Sequence, residues 1–345
     1  MDCEIMQKLR REKQLWELYT RREEYDPPAL DKHKRFSHAL SENKNIFEPT
    51  VSEYLMENGL RPQYPENKDF AVCLTHDVDV IYPPRLYSAK IMLKSLFRPD
   101  LKDSFRYACC AADKKHTPLK NFREIRRLEE KYGAKSTFFF LAPEKTSLDS
   151  NYVIDELREE LREIRAAGWG IGLHGGYDSY NNLDAITNEK ERLENALGEK
   201  VVGYRNHFLR FKVPGTWENL SRAGFKYDST LGYADMPGFR NGMCHPHKPF
   251  NLETNKEIDI TEIPLTIMDG TFFDYMKLGC GEAWQLTKKL MDKTAKLKGV
   301  ITILWHNTHM TGERLKLYEK ILSYGKERNA WMTSGEEIVK NLEAQ

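Results

Sequence analysis

From Phe70 onward, short apolar runs alternate with amphipathic segments, and this alternation constrains the fold more than any other feature of the chain. The apolar runs are 70–77, 135–142, 170–175, 201–207, 225–229, 260–267, 300–306 and 329–333. Each is short and rich in Val, Ile, Phe or Tyr, as a buried strand requires. Between them lie helical patterns. Leu119, Phe122, Ile125 and Leu128 make one stripe across 117–132, and Val153, Leu157, Leu161 and Ile164 make another across 151–167. Segments 215–223, 282–298 and 313–327 also suit helices. Strands alternating with helices call for a parallel sheet with right-handed crossovers. Seven or eight such repeats within about 275 residues favour a distorted (β/α)7–8 barrel over an open doubly wound sheet, so the fold class is α/β. Stretches 80–116 and 232–258 read as insertions that loop over one face.

Ahead of this pattern, residues 1–67 are densely charged and broken at Pro27, Pro28, Pro62 and Pro65. Ile5, Leu9, Trp16 and Tyr19 recur at roughly helical spacing, which predicts one or two helices packed on a larger body. The expected organisation is therefore an N-terminal helical extension over 1–67 and a barrel over 68–345. With 345 residues, 40% of them hydrophobic, the chain has ample material for that core. Lys and Arg number 53 against 52 Asp and Glu, a net charge of +1. Nothing global therefore draws the chain to nucleic acid or to an anionic membrane. It has no apolar run long enough to span a bilayer, and its N-terminus is charged throughout, so the expectation is a soluble, cytoplasmic protein without membrane insertion. Six cysteines without Cys-x-x-Cys spacing read as reduced thiols.

The chemistry sits at the C-terminal tips of the predicted strands, the face where barrels gather their reactive groups. In order these tips carry Asp77 and Asp79, then His174, Arg205 and His207, Asp228, and His306. Strand side chains alternate in direction, so Asp77 and Asp79 share one face while His76 takes the other; Arg205 and His207 also share a face. Two carboxylates that close repel unless a cation lies among them. A metal ion resolves this, with one Asp as ligand and the other as base. Asp plus two imidazoles suits zinc, cobalt or another divalent ion with open water positions.

Other residues read more plainly. His76 is structural by parity. The run "CHPHKPF" has zinc-like spacing in Cys244, His245 and His247, but within a Pro-rich insertion it reads as a substrate-facing loop. His309 caps the chain or faces solvent, and Asp228 either contacts substrate or bonds backbone. Phe138 to Phe140 are core, and Tyr82, Tyr87, Tyr107 and Tyr233 are loop tyrosines. The run "DVD" alone also suits an Asp-x-Asp glycosyltransferase or a phosphatase. The first explains none of the later histidines, and the second lacks a phosphate loop.

Six motifs stand in order: "THDVD" (75–79), "STFFF" (136–140), "GLHGGYDS" (172–179), "GYRNHFLRF" (203–211), "YDSTLGYAD" (227–235) and "LWHN" (304–307). Over roughly 68–335 the chain thereby resembles the polysaccharide deacetylase family, metal-dependent enzymes that remove N-acetyl groups from sugars. The resemblance implies a distorted (β/α) barrel. It implies Asp77 as general base, Asp79 as metal ligand, His174 as first histidine ligand and Arg205 as the arginine that holds the base. It also implies that the backbone N–H near Phe208 polarises the carbonyl and that His306 is the general acid. Two positions depart from the family pattern. Asp178 stands where the second ligand histidine is usual, and His207 stands where Arg-x-Pro-aromatic has its proline. His207 is therefore the expected third ligand, with Asp178 the alternative. The implied cofactor is one divalent ion, zinc before cobalt or another transition metal. The implied partner is an N-acetylated carbohydrate of a glycan or glycan precursor. Two further readings are hydrolysis of another non-peptide C–N bond, such as a cyclic amide, and a non-catalytic glycan-binding or assembly protein.

Overall fold

The computed structural model describes residues 3–82, 117–144, 149 and 151–345. Most of the 80–116 insertion, with Tyr87, Tyr107, Cys109 and Cys110, lies outside the described residues.

Strand β1 (Phe70–Val78) runs through the centre of a parallel sheet, with every residue buried. Such a strand has neighbours on both edges and both faces, which is why it reads as a continuous apolar run. One edge of β1 is shared. Its first half pairs with the last strand, Ala330–Thr333, and its second half with β2 (Thr137–Leu141). From β2 the sheet continues through β3 (Gly170–Gly175), β4 (Gly203–Asn206) and β5 (Tyr227–Asp228). A small hairpin follows, made of β6 (Phe250–Asn251) and β7 (Lys256–Glu257). Then β8 (Thr261–Glu262) pairs with β5, and β9 (Leu265–Met268) pairs with β10 (Val300–Leu304), which lies on the other edge of β1. The two ends of the sheet, β8 and β9, are thus consecutive in the chain, and the sheet curls into a distorted barrel. The sequence predicts a single strand over 260–267. Pro264 divides it, because proline has no N–H to give to a ladder. Ile263 donates to the Asp228 carbonyl at 2.9 Å and Leu265 to that of Leu231 at 3.1 Å as the segment crosses between edges.

Helices Phe122–Lys131, Arg158–Ala166, Leu183–Leu197, Gly215–Arg222, Cys280–Lys296, Gly312–Glu327 and Gly335–Glu343 surround the sheet. The phenylalanine run of β2 shows how alternation works here. Phe138 and Phe140 point outward against Phe122, at ring distances of 5.7 and 5.5 Å, while Phe139 points inward with Ala71, Cys73 and Tyr227. His76 also points outward. Its Nε2 meets Glu129 at 2.8 Å, its Nδ1 meets the Trp305 carbonyl at 2.7 Å, and its ring stacks on Phe138. Glu129 also accepts from Tyr318, Ser136 and Trp169. A buried polar cluster satisfied this fully fixes one packing arrangement.

Among the described residues the extension holds three α-helices: Cys3–Arg11, Lys13–Thr20 and Thr50–Glu57. Ile5, Leu9, Tyr19, Val51 and Leu55 form a core there with Met243 and Phe250 from the second insertion. That insertion is a correction to the sequence reading. Residues 231–249 are largely buried rather than looped over a face, because the extension covers them. Gly238 has φ +144°, and a Cβ there would lie 2.6 Å from the Ile46 carbonyl oxygen. His245 and His247 are likewise buried and face no substrate. His245 bonds Ser52 at 2.8 Å and the Leu297 carbonyl at 3.0 Å, and His247 bonds Asn241 at 3.1 Å. Tyr233 is buried too and accepts from Arg21 at 2.9 Å. Cys73, Cys244 and Cys280 are free thiols.

Candidate metal centre and proton donor

The tips of β1, β3 and β4 and the turn after β10 bring five imidazole and carboxyl groups of the sequence reading together. Asp79 is the hub. Its Oδ1 lies 3.2 Å from His174 Nε2 and 3.9 Å from His207 Nε2, and its Oδ2 lies 3.5 Å from His306 Nε2. Asp77 stands beside this group, with Oδ2 3.6 Å from His174 Nε2. Its other oxygen accepts from Arg205 Nη1 at 3.1 Å. Arg205 is itself fully fixed. It donates to Thr75 Oγ1 (2.7 Å), the Ser229 carbonyl (2.8 Å) and Ser229 Oγ (2.9 Å), and its guanidinium lies 4.7 Å from the Phe139 ring.

Asp79, His174 and His207 fit a divalent cation. Their ligand atoms lie within 4.8 Å of one another. His174 Nδ1 lies 3.0 Å from the Arg205 carbonyl, which can only accept, so the proton sits on Nδ1 and Nε2 turns its lone pair inward. That lone pair then faces a carboxylate oxygen, an arrangement that only a cation resolves, either a proton or a metal. Asp79 Oδ1 and His207 Nδ1 are buried polar atoms without a hydrogen-bond partner. An orphaned buried group costs about 1–3 kcal/mol, and a metal bound to Asp79 would relieve that on its side. The field agrees. Burial alone would raise the Asp79 carboxyl, but His207, His174 and His306 hold it well below the usual range. Burial would lower His174, and Asp77 and Asp79 push it up instead. His207 is pushed down by burial, which keeps its imidazole neutral as ligation requires.

A second cluster lies beside the first. Asp269 follows β9 directly. Its Oδ1 meets His306 Nδ1 at 2.5 Å, and its Oδ2 accepts from the His306 backbone N–H at 2.7 Å and meets His309 Nδ1 at 2.8 Å. Burial would lower His306, but the Asp269 carboxylate outweighs it and raises the imidazole to about 10. Asp269 in turn is held below the carboxylate range by His306 and His309 against the effect of its burial. Sequence reasoning missed Asp269, although it sits at a strand tip like the others. His309, expected as a cap or a solvent-facing residue, is tied to Asp269.

The remaining candidates fall outside these clusters. Asp178, the alternative ligand, has 87% of its side chain exposed and pairs with Arg210 at 2.6 Å, so it is not in the ligand group. Asp228 is fully buried and faces Glu262, bonding Thr230 Oγ1 at 2.5 Å; it is not presented to a substrate. Phe208 adjoins His207, with ring centroids 4.5 Å apart, and is 41% exposed. Its φ of +60° is a left-handed conformation that a residue with a Cβ adopts at a cost of about 1–3 kcal/mol. Strain of this kind gathers where backbone must be aimed at a ligand.

No family model matches the sequence, and no curated protein matches it. Solved structures do. A Mycobacterium smegmatis protein assigned as a polysaccharide deacetylase superposes with a TM-score of 0.56 at 20% identity, over 82% of this chain and 93% of its own. A Pseudomonas aeruginosa protein with the same assignment superposes with a TM-score of 0.55 at 15% identity, over 84% and 97%. The chain therefore has the polysaccharide deacetylase fold, the distorted (β/α) barrel expected from the sequence.

Proposed function

We propose that the protein is a metal-dependent hydrolase that removes N-acetyl groups from a sugar of a glycan or glycan precursor. The observation that carries this reading is the division of labour between the two strand-tip aspartates. Arg205 holds Asp77 aside as a base, while Asp79 is left with an orphaned oxygen among imidazoles. Asp79, His174 and His207 would hold one divalent ion, with zinc the best match to a carboxylate and two imidazoles. Such an ion, when bound, polarises the acyl oxygen and lowers the pKa of water from 15.7 towards about 7.

The chain's own residues do the rest. Asp77 Oδ2 accepts the proton of the attacking water, and the Arg205 bond to Oδ1 keeps the carboxyl aimed. The water oxygen bonds to the acyl carbon, and the negative charge passes to the acyl oxygen, which the Phe208 N–H would receive. His306, cationic because Asp269 holds its Nδ1, gives its Nε2 proton to the amide nitrogen as the C–N bond breaks. A free amine leaves together with acetic acid, and the proton taken by Asp77 restores His306 through solvent. The balance closes on water alone.

The test is acetate release from N-acetylated sugars by zinc-loaded protein, compared with its Asp77→Asn variant. Release by wild type and its loss in the variant support the reading. Zinc uptake with no release from any N-acetyl sugar, but ring opening of a cyclic amide, would move the activity to that bond. An inability to hold zinc would move it to a scaffold role.

A further inference from the structure

The extension contributes a guanidinium to the rim of this site. Arg35 donates from Nη1 to the Phe208 carbonyl at 2.8 Å and from Nη2 to the Tyr275 hydroxyl at 3.0 Å. Its own position is fixed by Asp31, which accepts from Arg35 Nε at 2.9 Å and from its backbone N–H at 2.9 Å. Two residues earlier, His33 packs on the Phe208 ring at 4.7 Å and bonds the Tyr177 hydroxyl at 3.1 Å. The two residues that Arg35 bridges have something in common. Among the described residues, Phe208 and Tyr275 are the two large aromatic side chains most open to solvent, at 41% and 40% exposure. Both are tied to the site through Arg35. Phe208 follows His207, and Tyr275 closes the turn that begins just after Asp269. Exposed rings elsewhere on a surface need no explanation, but one buried arginine tied both to the backbone of one exposed ring and to the hydroxyl of the other does.

We propose that the extension completes the site: Arg35 is a positioning residue that fixes the Phe208 backbone and sets Phe208 and Tyr275 as the two flanks of a saccharide-binding cleft. A pyranose ring presents a face of C–H bonds that packs on an aromatic ring, while its hydroxyls remain at the polar rim. Two flanks suit an oligosaccharide better than a single sugar. Bridging two acceptors needs the forked guanidinium, which lysine cannot reproduce. This rests on the deacetylase reading for the identity of the ligand but not on turnover.

Calorimetric titration of metal-free protein with a tetramer of N-acetylglucosamine tests it. Wild type binds, Tyr275→Ala binds about tenfold more weakly, and Arg35→Ala weakens binding at least as much because it frees the Phe208 backbone and the Tyr275 hydroxyl together. Tyr275→Phe, which keeps the ring and loses only the bridge, falls between them. Tyr275 is exposed at the rim, so its variants fold even if the Arg35 variant does not. On zinc-loaded protein Arg35→Ala also lowers kcat, through the Phe208 N–H, whereas Tyr275→Ala raises KM alone. Absence of tetramer binding by wild type, or binding unchanged in both alanine variants, overturns the proposal. Binding that depends on these residues, with no acetate released after zinc loading, overturns the deacetylase reading and leaves the cleft in place.

Discussion

Two clusters of one carboxylate and two imidazoles lie side by side at the same face of the barrel, and they solve the same electrostatic problem in opposite ways. In the Asp269 cluster the carboxylate is spent. Its two oxygens take the backbone N–H of Gly270 and contacts from His306 Nδ1, the His306 backbone and His309 Nδ1, so the charge is neutralised by protons. In the Asp79 cluster the carboxylate keeps an orphaned oxygen, and the His174 tautomer turns a lone pair towards it. One arrangement is closed around a proton and the other is open for a metal. Residue types alone do not distinguish them; hydrogen-bond partners do.

The largest effects come from the groups that move protons. Asp77→Asn lowers kcat by about 10²–10⁴ fold while zinc binding persists, as steady-state rates and elemental analysis together show. Asp269→Asn gives a drop of similar size for another reason. Without its carboxylate, His306 falls from about 10 towards the ordinary 6.5, which NMR titration of the ring resonances reads directly.

Next come the metal affinities, where the two clusters part. His207→Ala weakens zinc binding by more than about 100-fold, whereas His309→Ala leaves it within about twofold of wild type. Equal losses in the two variants would erase the distinction. Asp178→Ala leaves zinc affinity unchanged, because that carboxylate is exposed and engaged with Arg210. A loss there would restore Asp178 as a ligand.

The smallest effect sharpens the comparison from a third carboxyl group. Asp228 and Glu262 face each other, both fully buried, and burial together with the Asp228 charge pushes Glu262 well above its usual range. Glu262 therefore keeps, when folded, a proton that the unfolded chain releases near 4.3. The stability from that proton is complete below about 4.3 and is lost as the pH rises towards the folded value. Glu262→Gln accordingly gains stability relative to wild type as the pH rises from 4 to 8. Denaturant unfolding at the two pH values checks this.

Much of this was legible in the sequence. The parity of Asp77 and Asp79 against His76, and the ionisable strand tips, follow from strand period alone. Asp269 was not read, because the apolar run was ended at Ile267, two residues short of the tip, and Pro264 concealed that the run is two strands. With Asp269 unread, His309 had no visible partner. The helix Leu183–Leu197 is weakly signalled in the sequence because its apolar stripe is sparse. Its ends are nonetheless signalled by Asn182, whose side chain accepts from the Ala185 N–H at 3.1 Å, and by Gly198 at φ +86°. Arg35 was beyond reach. Its contacts with Phe208 and Tyr275 span 173 and 240 positions and exist only once the extension is docked.

The account rests on which cluster holds the metal. Elemental analysis of zinc-reconstituted wild type, Asp79→Ala and Asp269→Asn decides it. The expected result is about one ion in wild type, almost none in Asp79→Ala and about one in Asp269→Asn. Zinc retained by Asp79→Ala and lost from Asp269→Asn would reverse the assignment of the two clusters and contradict the account.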